Sequence, residues 1–259
     1  MKKLLILSLL SVSVASVYGA GLIPYNPNLV AYYPISTTTD TGNFIDDVID
    51  YSGHGAQDGT TGQSGGTILL DPIRGGDVVA TVQGHRFTAG IQDINLAEGF
   101  TWSLWVKSDS AANADGGADV IIGSRAGIWN KVQANGTARF FDHSYNIDDD
   151  TWHHIAYTGR STGLNTEISE FWIDGVKVST DSNGSFGNNQ IELTALQIGG
   201  ANSFSEDWTG LIDDIAIFNT VLSDERIQEI AAGASVVIPE PSTALLGALG
   251  ALVLLHRRR

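Results

Sequence analysis

Several side chains in this sequence are of types that do chemistry. His153-His154, within "TWHHIAYTGR", invite a zinc or proton-transfer reading, and Glu170 and Asp174, within "SEFWIDG", stand at even separation on one strand face. The acidic stretches 109–119 and 148–150 supply the hard oxygens that a divalent cation takes. Each has a plainer reading. Neighbours on a regular strand face opposite sides, so the two histidines cannot grip one ion together. Packed, hydrogen-bonded histidines are the expectation. His54, His85 and His143 lack metal-ligand spacing. Asp174 opens an Asp-Gly turn, which makes its pairing with Glu170 structural, and acidic runs are ordinarily solvated turns. No Gly-x-Ser-x-Gly string or phosphate loop occurs, and with no cysteine there is no thiol nucleophile.

The charge balance narrows the partners. Lys and Arg number 14 against 29 Asp and Glu, for a formal net charge of −15. Lys2, Lys3, Arg257, Arg258 and Arg259 lie in the terminal segments, so the body between them is more acidic still. Nucleic acid is excluded as a partner, because phosphate binding needs basic stripes. Without disulfides the fold must rest on its own core.

The elements that must position these groups are strands. "FTWSLWVK" alternates Phe100, Trp102, Leu104 and Val106 with Thr101, Ser103, Trp105 and Lys107, the period of a half-buried strand. Asn135-Gly136 and Asp174-Gly175 each sit between two alternating runs and predict two-residue hairpins. "TWHHIAYTGR", "ALQIGG" and "GLIDDIAIF" add strands, separated by turn-rich stretches. Trp102, Trp152 and Trp172 alternate with apolar partners and read as core. Trp129 and Trp208 lie near Gly-rich or acidic loops and are candidate exposed platforms. One short helix is expected in "LSDERIQEIAAG", with Ser223 as N-cap, Asp224 and Glu225 in the first turn and Gly233 just past its end.

Both ends read as address segments. Lys2-Lys3, then "LLILSLLSVSVASV", then small residues at Gly19 and Ala20 have the layout of a secretory signal peptide over 1–20, with cleavage after Gly19 or Ala20. At the other end, the uncharged run 244–255 would span ~18 Å as a helix, short of a ~30 Å bilayer core. Residues 238–259, "IPEPSTALLGALGALVLLHRRR", resemble the PEP-CTERM sorting signal of Gram-negative bacteria through Pro239, Glu240, Pro241, the apolar run and the terminal arginines. That resemblance implies transient inner-membrane association and processing by an exosortase-type enzyme. The protein would then reach the cell surface, outer envelope or extracellular matrix. A plain C-terminal anchor is the alternative.

The body resembles the LamG-like branch of the concanavalin A-like lectin/glucanase superfamily. The matching segments, in order, are "LVAYYPIS", "DYSGHGAQDG", "FTWSLWVK", "TWHHIAYT", "FWIDGVKV", "LQIGG" and "WTGLIDDIAIFNTVLSDERIQEI". The resemblance implies an all-β fold: a two-sheet antiparallel jelly-roll β-sandwich with one short C-terminal helix, over residues 21–233, followed by a linker at 234–238 and the sorting segment at 239–259. It also implies a structural calcium ion held by Asp50, Ser52, Asp213 and Asp214, although His54 stands where that loop usually has Asn. Glycoside cleavage takes two carboxyls across the scissile bond, and the Glu-x-Asp-x-(x)-Glu string on which the superfamily's glucanases carry them is not found here. The resemblance therefore favours a non-catalytic, lectin-like module binding glycan or exopolysaccharide through Trp129 and Trp208. A structural or adhesive envelope protein and a glycan-cleaving enzyme stand as alternatives.

Overall fold

A computed structural model describes residues 26–35, 50–52, 60–61, 67–81, 87–89, 94–95, 99–113, 119–124, 130–133, 145–163, 166–182, 190–191, 196–200 and 208–236. The strands run in chain order β1 (Leu29–Tyr33), β2 (Thr60–Thr61), β3 (Thr67–Asp71), β4 (Gly76–Thr81), β5 (Phe87–Ala89), β6 (Ile94–Asn95) and β7 (Phe100–Ser108). Then come β8 (Val120–Ser124), β9 (Asn130–Gln133), β10 (Trp152–Gly163), β11 (Thr166–Ile173) and β12 (Val176–Asp181). The last are β13 (Gln190–Ile191), β14 (Leu196–Ile198) and β15 (Gly210–Phe218), followed by helix α1 (Asp224–Ala231).

An eight-stranded sheet has the order β12-β11-β10-β7-β15-β4-β3, with β1 beside β15, and a five-stranded sheet has the order β2-β5-β14-β8-β9. Every pairing among the described residues is antiparallel. The expected all-β sandwich is what the chain forms.

The alternation in β7 decides the layers. Phe100, Trp102, Leu104 and Val106 turn inward with Ile155, Tyr157, Phe171, Ile212 and Ile217, and meet Ile121, Ile122 and Ile198 of the smaller sheet. Burying such side chains is worth about 1.5–3 kcal/mol each, and this supplies the stability that disulfides would otherwise provide. The other face of the large sheet carries Leu29, Ala156, Trp172, Ala216 and Phe218, and α1 closes over them with Ile227 and Ile230. Ser223 caps that helix by accepting from the Arg226 amide, and Gly233 follows it at φ +93°. Asp174 and Gly175, at φ +51° and +76°, make the tight turn between β11 and β12, as the Asp-Gly pair predicts. Asn135-Gly136 lies outside the described residues.

Strand β15 is shared along its length. Gly210, Leu211 and Ile212 pair with β4, whereas Ile215 to Phe218 pair with β1. Between them the register with β7 slips from Asp213 to Ala216, and Asp214 sits at φ +49°. This bulge places an unusual pair of carboxylates on the outer face.

Candidate functional site

On a regular strand Asp213 and Asp214 would point to opposite faces. The bulge re-aims them so that both reach one guanidinium. Arg74 Nε donates to Asp213 Oδ2 at 2.8 Å, and a terminal Arg74 nitrogen donates to Asp214 Oδ2 at 2.8 Å. Asp213 Oδ1 accepts from the Asp214 amide at 2.9 Å, and Asp214 Oδ1 accepts from the Tyr32 hydroxyl at 2.9 Å. Arg74 Cζ lies over the Trp105 ring, 4.1 Å from its centroid, with the Trp152 ring centroid at 5.8 Å. The β3–β4 turn aims it: Asp71 Oδ1 accepts from the amides of Ile73 and Arg74 at 2.8 and 2.9 Å, and Gly75 takes φ +73°. Burial acts to raise the Asp71 pKa, but those two amides outweigh it and hold the carboxyl below its usual value. Burial and the adjoining Asp214 charge push Asp213 up to about 6 against the pull of Arg74. Burial raises Asp214 as well.

Asp50 and Ser52 form a separate turn. Asp50 Oδ1 accepts from the amides of Tyr32 and Ser52 at 2.9 and 2.8 Å, and its Oδ2 accepts from the Ser52 hydroxyl at 2.7 Å. Tyr32 links the two groups, through its amide to Asp50 and its hydroxyl to Asp214. Every carboxylate oxygen of Asp213 and Asp214 thus already holds a protein donor. A calcium ion with its six to eight oxygen ligands would have to displace the guanidinium, so these residues as arranged do not fit the ion there. Among the described residues no group of three or more His, Asp or Glu side chains is disposed to hold a metal.

Farther along the same sheet lies a cleft of about 420 Å³, lined by Ala80, Lys107, Ser108, Asp109, Asp150, Thr209, Gly210 and Leu211. Its floor is a cross-strand row, since Leu211 pairs with Ala80 on one side and Lys107 on the other. Its rim comes from the two acidic stretches, whose carboxylates brace each other's loops. Asp150 accepts from the Ser110 amide and hydroxyl at 2.9 and 2.8 Å. Asp148 accepts from Ser108 at 2.6 Å, and Asp109 accepts from the Ala112 amide at 3.1 Å. Asn113 ties the rim to β15, donating to the Thr209 carbonyl and accepting from the Thr209 amide. The Ser110 hydrogen bonds hold the Asp150 carboxyl below its usual range.

The Laminin_G_3 family model, described as concanavalin A-like lectin/glucanases superfamily, matches residues 81–228. The chain belongs to this superfamily. Domain 4 of AbnA, a GH43 extracellular arabinanase from Geobacillus stearothermophilus, solved with arabinotriose, has the same fold at 20% identity and TM-score 0.53. That alignment covers 79% of this chain and 98% of the other. The receptor binding domain of botulinum neurotoxin C/D mosaic serotype aligns at 14% identity and TM-score 0.57, covering 80% of this chain and 52% of that one. The binding domain of Paraclostridial Mosquitocidal Protein 1 aligns at 14% identity and TM-score 0.54, with 79% and 52% covered. This chain thus spans about half the length of those toxin domains. No curated protein matches it in sequence.

Trp208 is fully buried and donates Nε1–H to Ser108 at 2.9 Å; it packs into the core and presents no platform to a sugar. Gly210 makes room for its ring, because a Cβ there would lie 2.3 Å from it. Trp129, Pro239, Glu240 and Pro241 lie outside the described residues. Trp152, expected in the core, is half-buried on the outer face beneath Arg74. His153 and His154 do face opposite sides. His154 is buried at 2.9 Å from Ser103 Oγ, and His153 lies between Asp149 and Asp174. Glu170 accepts from Lys177 at 2.8 Å instead of facing Asp174 as an acid pair.

Sequence reading missed Arg74 and the Leu211–Lys107 floor. The only local signal for Arg74 was its place in "DPIRGG", a turn sequence that says nothing about which distant carboxylates the side chain will reach.

Proposed function

We propose that this protein is an exported, non-catalytic carbohydrate-binding module, and that it takes its glycan in the cleft between Lys107, Leu211 and the Asp109 and Asp150 loops. The cleft carries the reading. It joins an aliphatic floor to a rim of carboxylates, hydroxyls and one lysine, the mixture that packs against sugar C–H faces while hydrogen-bonding their hydroxyls. The AbnA domain solved with arabinotriose has the same fold, as does about half of a chain of botulinum neurotoxin type C, whose cell entry is dependent upon interaction with two ganglioside molecules.

The arrangement of the described carboxylates supports the non-catalytic reading. A glycosidase needs one carboxyl held protonated as the acid. In the cleft, Asp150 is held low by Ser110. The carboxyls raised by burial, Asp213 and Asp214, are tied to Arg74. Export and surface or matrix delivery rest on the terminal segments, with Pro239-Glu240-Pro241 as the motif for an exosortase-type enzyme.

A glycan array probed with the full-length chain, followed by titration of its best oligosaccharide into wild type and Leu211→Arg, tests the reading. Binding that disappears in Leu211→Arg at unchanged melting temperature supports it. No glycan bound, binding indifferent to Leu211→Arg, or reducing sugar released from the bound polysaccharide would each overturn it.

A further inference from the structure

We infer that Arg74 is a built-in cation that takes the place of a divalent metal at the Asp213–Asp214 pair, so that this chain holds its bulged β15 strand without calcium. The bulge brings two acidic side chains together on a sheet face, an arrangement that needs a positive charge to persist. Any cation could meet that need. In this chain the cation is covalent and its position is prepared. The Asp71 carboxylate fixes the turn through the amides of Ile73 and Arg74, and Gly75 lets the chain reverse toward β4. Trp105 and Trp152 offer ring faces to the guanidinium. Its planar fork reaches one oxygen of each carboxylate at 2.8 Å, and the other two oxygens are taken by an amide and the Tyr32 hydroxyl.

The location gives this cation its importance. It locks the junction at which β15 changes partner from β4 to β1, and it spans the hairpin that carries β4. A metal at this position would make the sheet depend on the surrounding ion concentration. An arginine makes it independent of chelating surroundings, such as an acidic polysaccharide that sequesters calcium.

Thermal unfolding of the full-length chain in excess EDTA and in millimolar calcium tests the inference, with Arg74→Met and Arg74→Lys alongside. Wild type is expected to melt at one temperature in both. Arg74→Met is expected to melt roughly 10 °C lower in EDTA and to recover part of the loss in calcium. Arg74→Lys, which keeps the charge, is expected to lose less and to stay insensitive to calcium. A wild-type melting temperature that falls in EDTA and returns with calcium, in a manner abolished by Asp213→Asn, would overturn the inference. So would Arg74→Met melting with wild type. Should Arg74→Met fail to fold, calorimetric titration of calcium into wild type and Asp213→Asn decides alone. No saturable heat in either supports the built-in cation, and saturable heat lost in Asp213→Asn refutes it.

Discussion

Asp174 holds His153 and His154 at once: its Oδ2 lies 2.8 Å from His153 Nδ1, and its Oδ1 accepts from the His154 backbone amide at 2.9 Å. The tight turn at φ +51° places this carboxylate over the start of β10. The two imidazoles leave the strand on opposite faces and meet opposite environments. One is clamped between carboxylates, and the other is buried against Ser103 and the edge of Trp105. Their protonation therefore affects stability with opposite signs.

For His153, burial acts to lower the pKa, but hydrogen bonds to Asp174 and Asp149 outweigh it and raise it above 6.5. The protonated form is the one favoured in the fold. Its contribution is complete below pH 6.5 and is lost as pH rises through the raised value. Asp149 adds the other limit. Burial acts to raise its pKa, but Thr151 and His153 outweigh this and lower it, so its share appears above 3.8 and is lost as pH falls through the lowered value. The expected result is that His153→Gln lowers the melting temperature at pH 6 and has less effect at pH 8. Equal losses at both pH values would contradict the clamp.

His154 behaves in reverse. Burial lowers its pKa from 6.5 to about 4, so the fold favours the neutral ring. Nε2 lies 2.9 Å from Ser103 Oγ, and among the described residues Nδ1 is buried with no hydrogen-bond partner, which suits a neutral ring. The stability gained is present above pH 6.5 and is lost as pH falls toward 4, on the order of 3 kcal/mol. Replacing both partners, Ser103→Ala with His154→Leu, is expected to cost little at pH 7 and to flatten the fall in unfolding free energy between pH 6.5 and 4. Denaturant unfolding across that range measures it.

Gly210 faces the Trp208 ring and the Lys107 carbonyl at distances that admit no Cβ, 2.3 and 2.4 Å from where one would stand. Gly210→Ala is expected to lower stability by about 2 kcal/mol or more, some 5 °C in melting temperature. Gly76→Ala, where nothing lies within 4 Å, should leave the melting temperature unchanged. Differential scanning calorimetry of the two variants separates a specific close approach from a general loss of glycine.

The sandwich was legible because its signals are local. Alternation in "FTWSLWVK" names the buried face of β7, Asp174-Gly175 names a turn that only left-handed backbone can make, and Ser223 with Asp224 and Glu225 starts helix α1. The site was less legible. Asp213 and Asp214 stood out as acidic, but a strict two-residue period would have sent them to opposite faces. Only the slip of β15 against β7 turns them toward one guanidinium, which comes from 139 and 140 positions away. Trp208 read as a candidate exposed platform because of its acidic neighbours, and the structure buries it with its Nε1–H on Ser108, 100 residues distant. Local pattern was enough to place most strands, their turns and the apolar face of β7, since these follow from backbone sterics and side-chain period within a few residues, while Trp152, core by its alternation, went to the outer face beneath Arg74. The cation opposite the acidic pair, the half of β15 that each neighbour takes and the row of residues that floors the cleft were decided by tertiary structure alone, because long-range register is fixed by the packing of the whole sandwich.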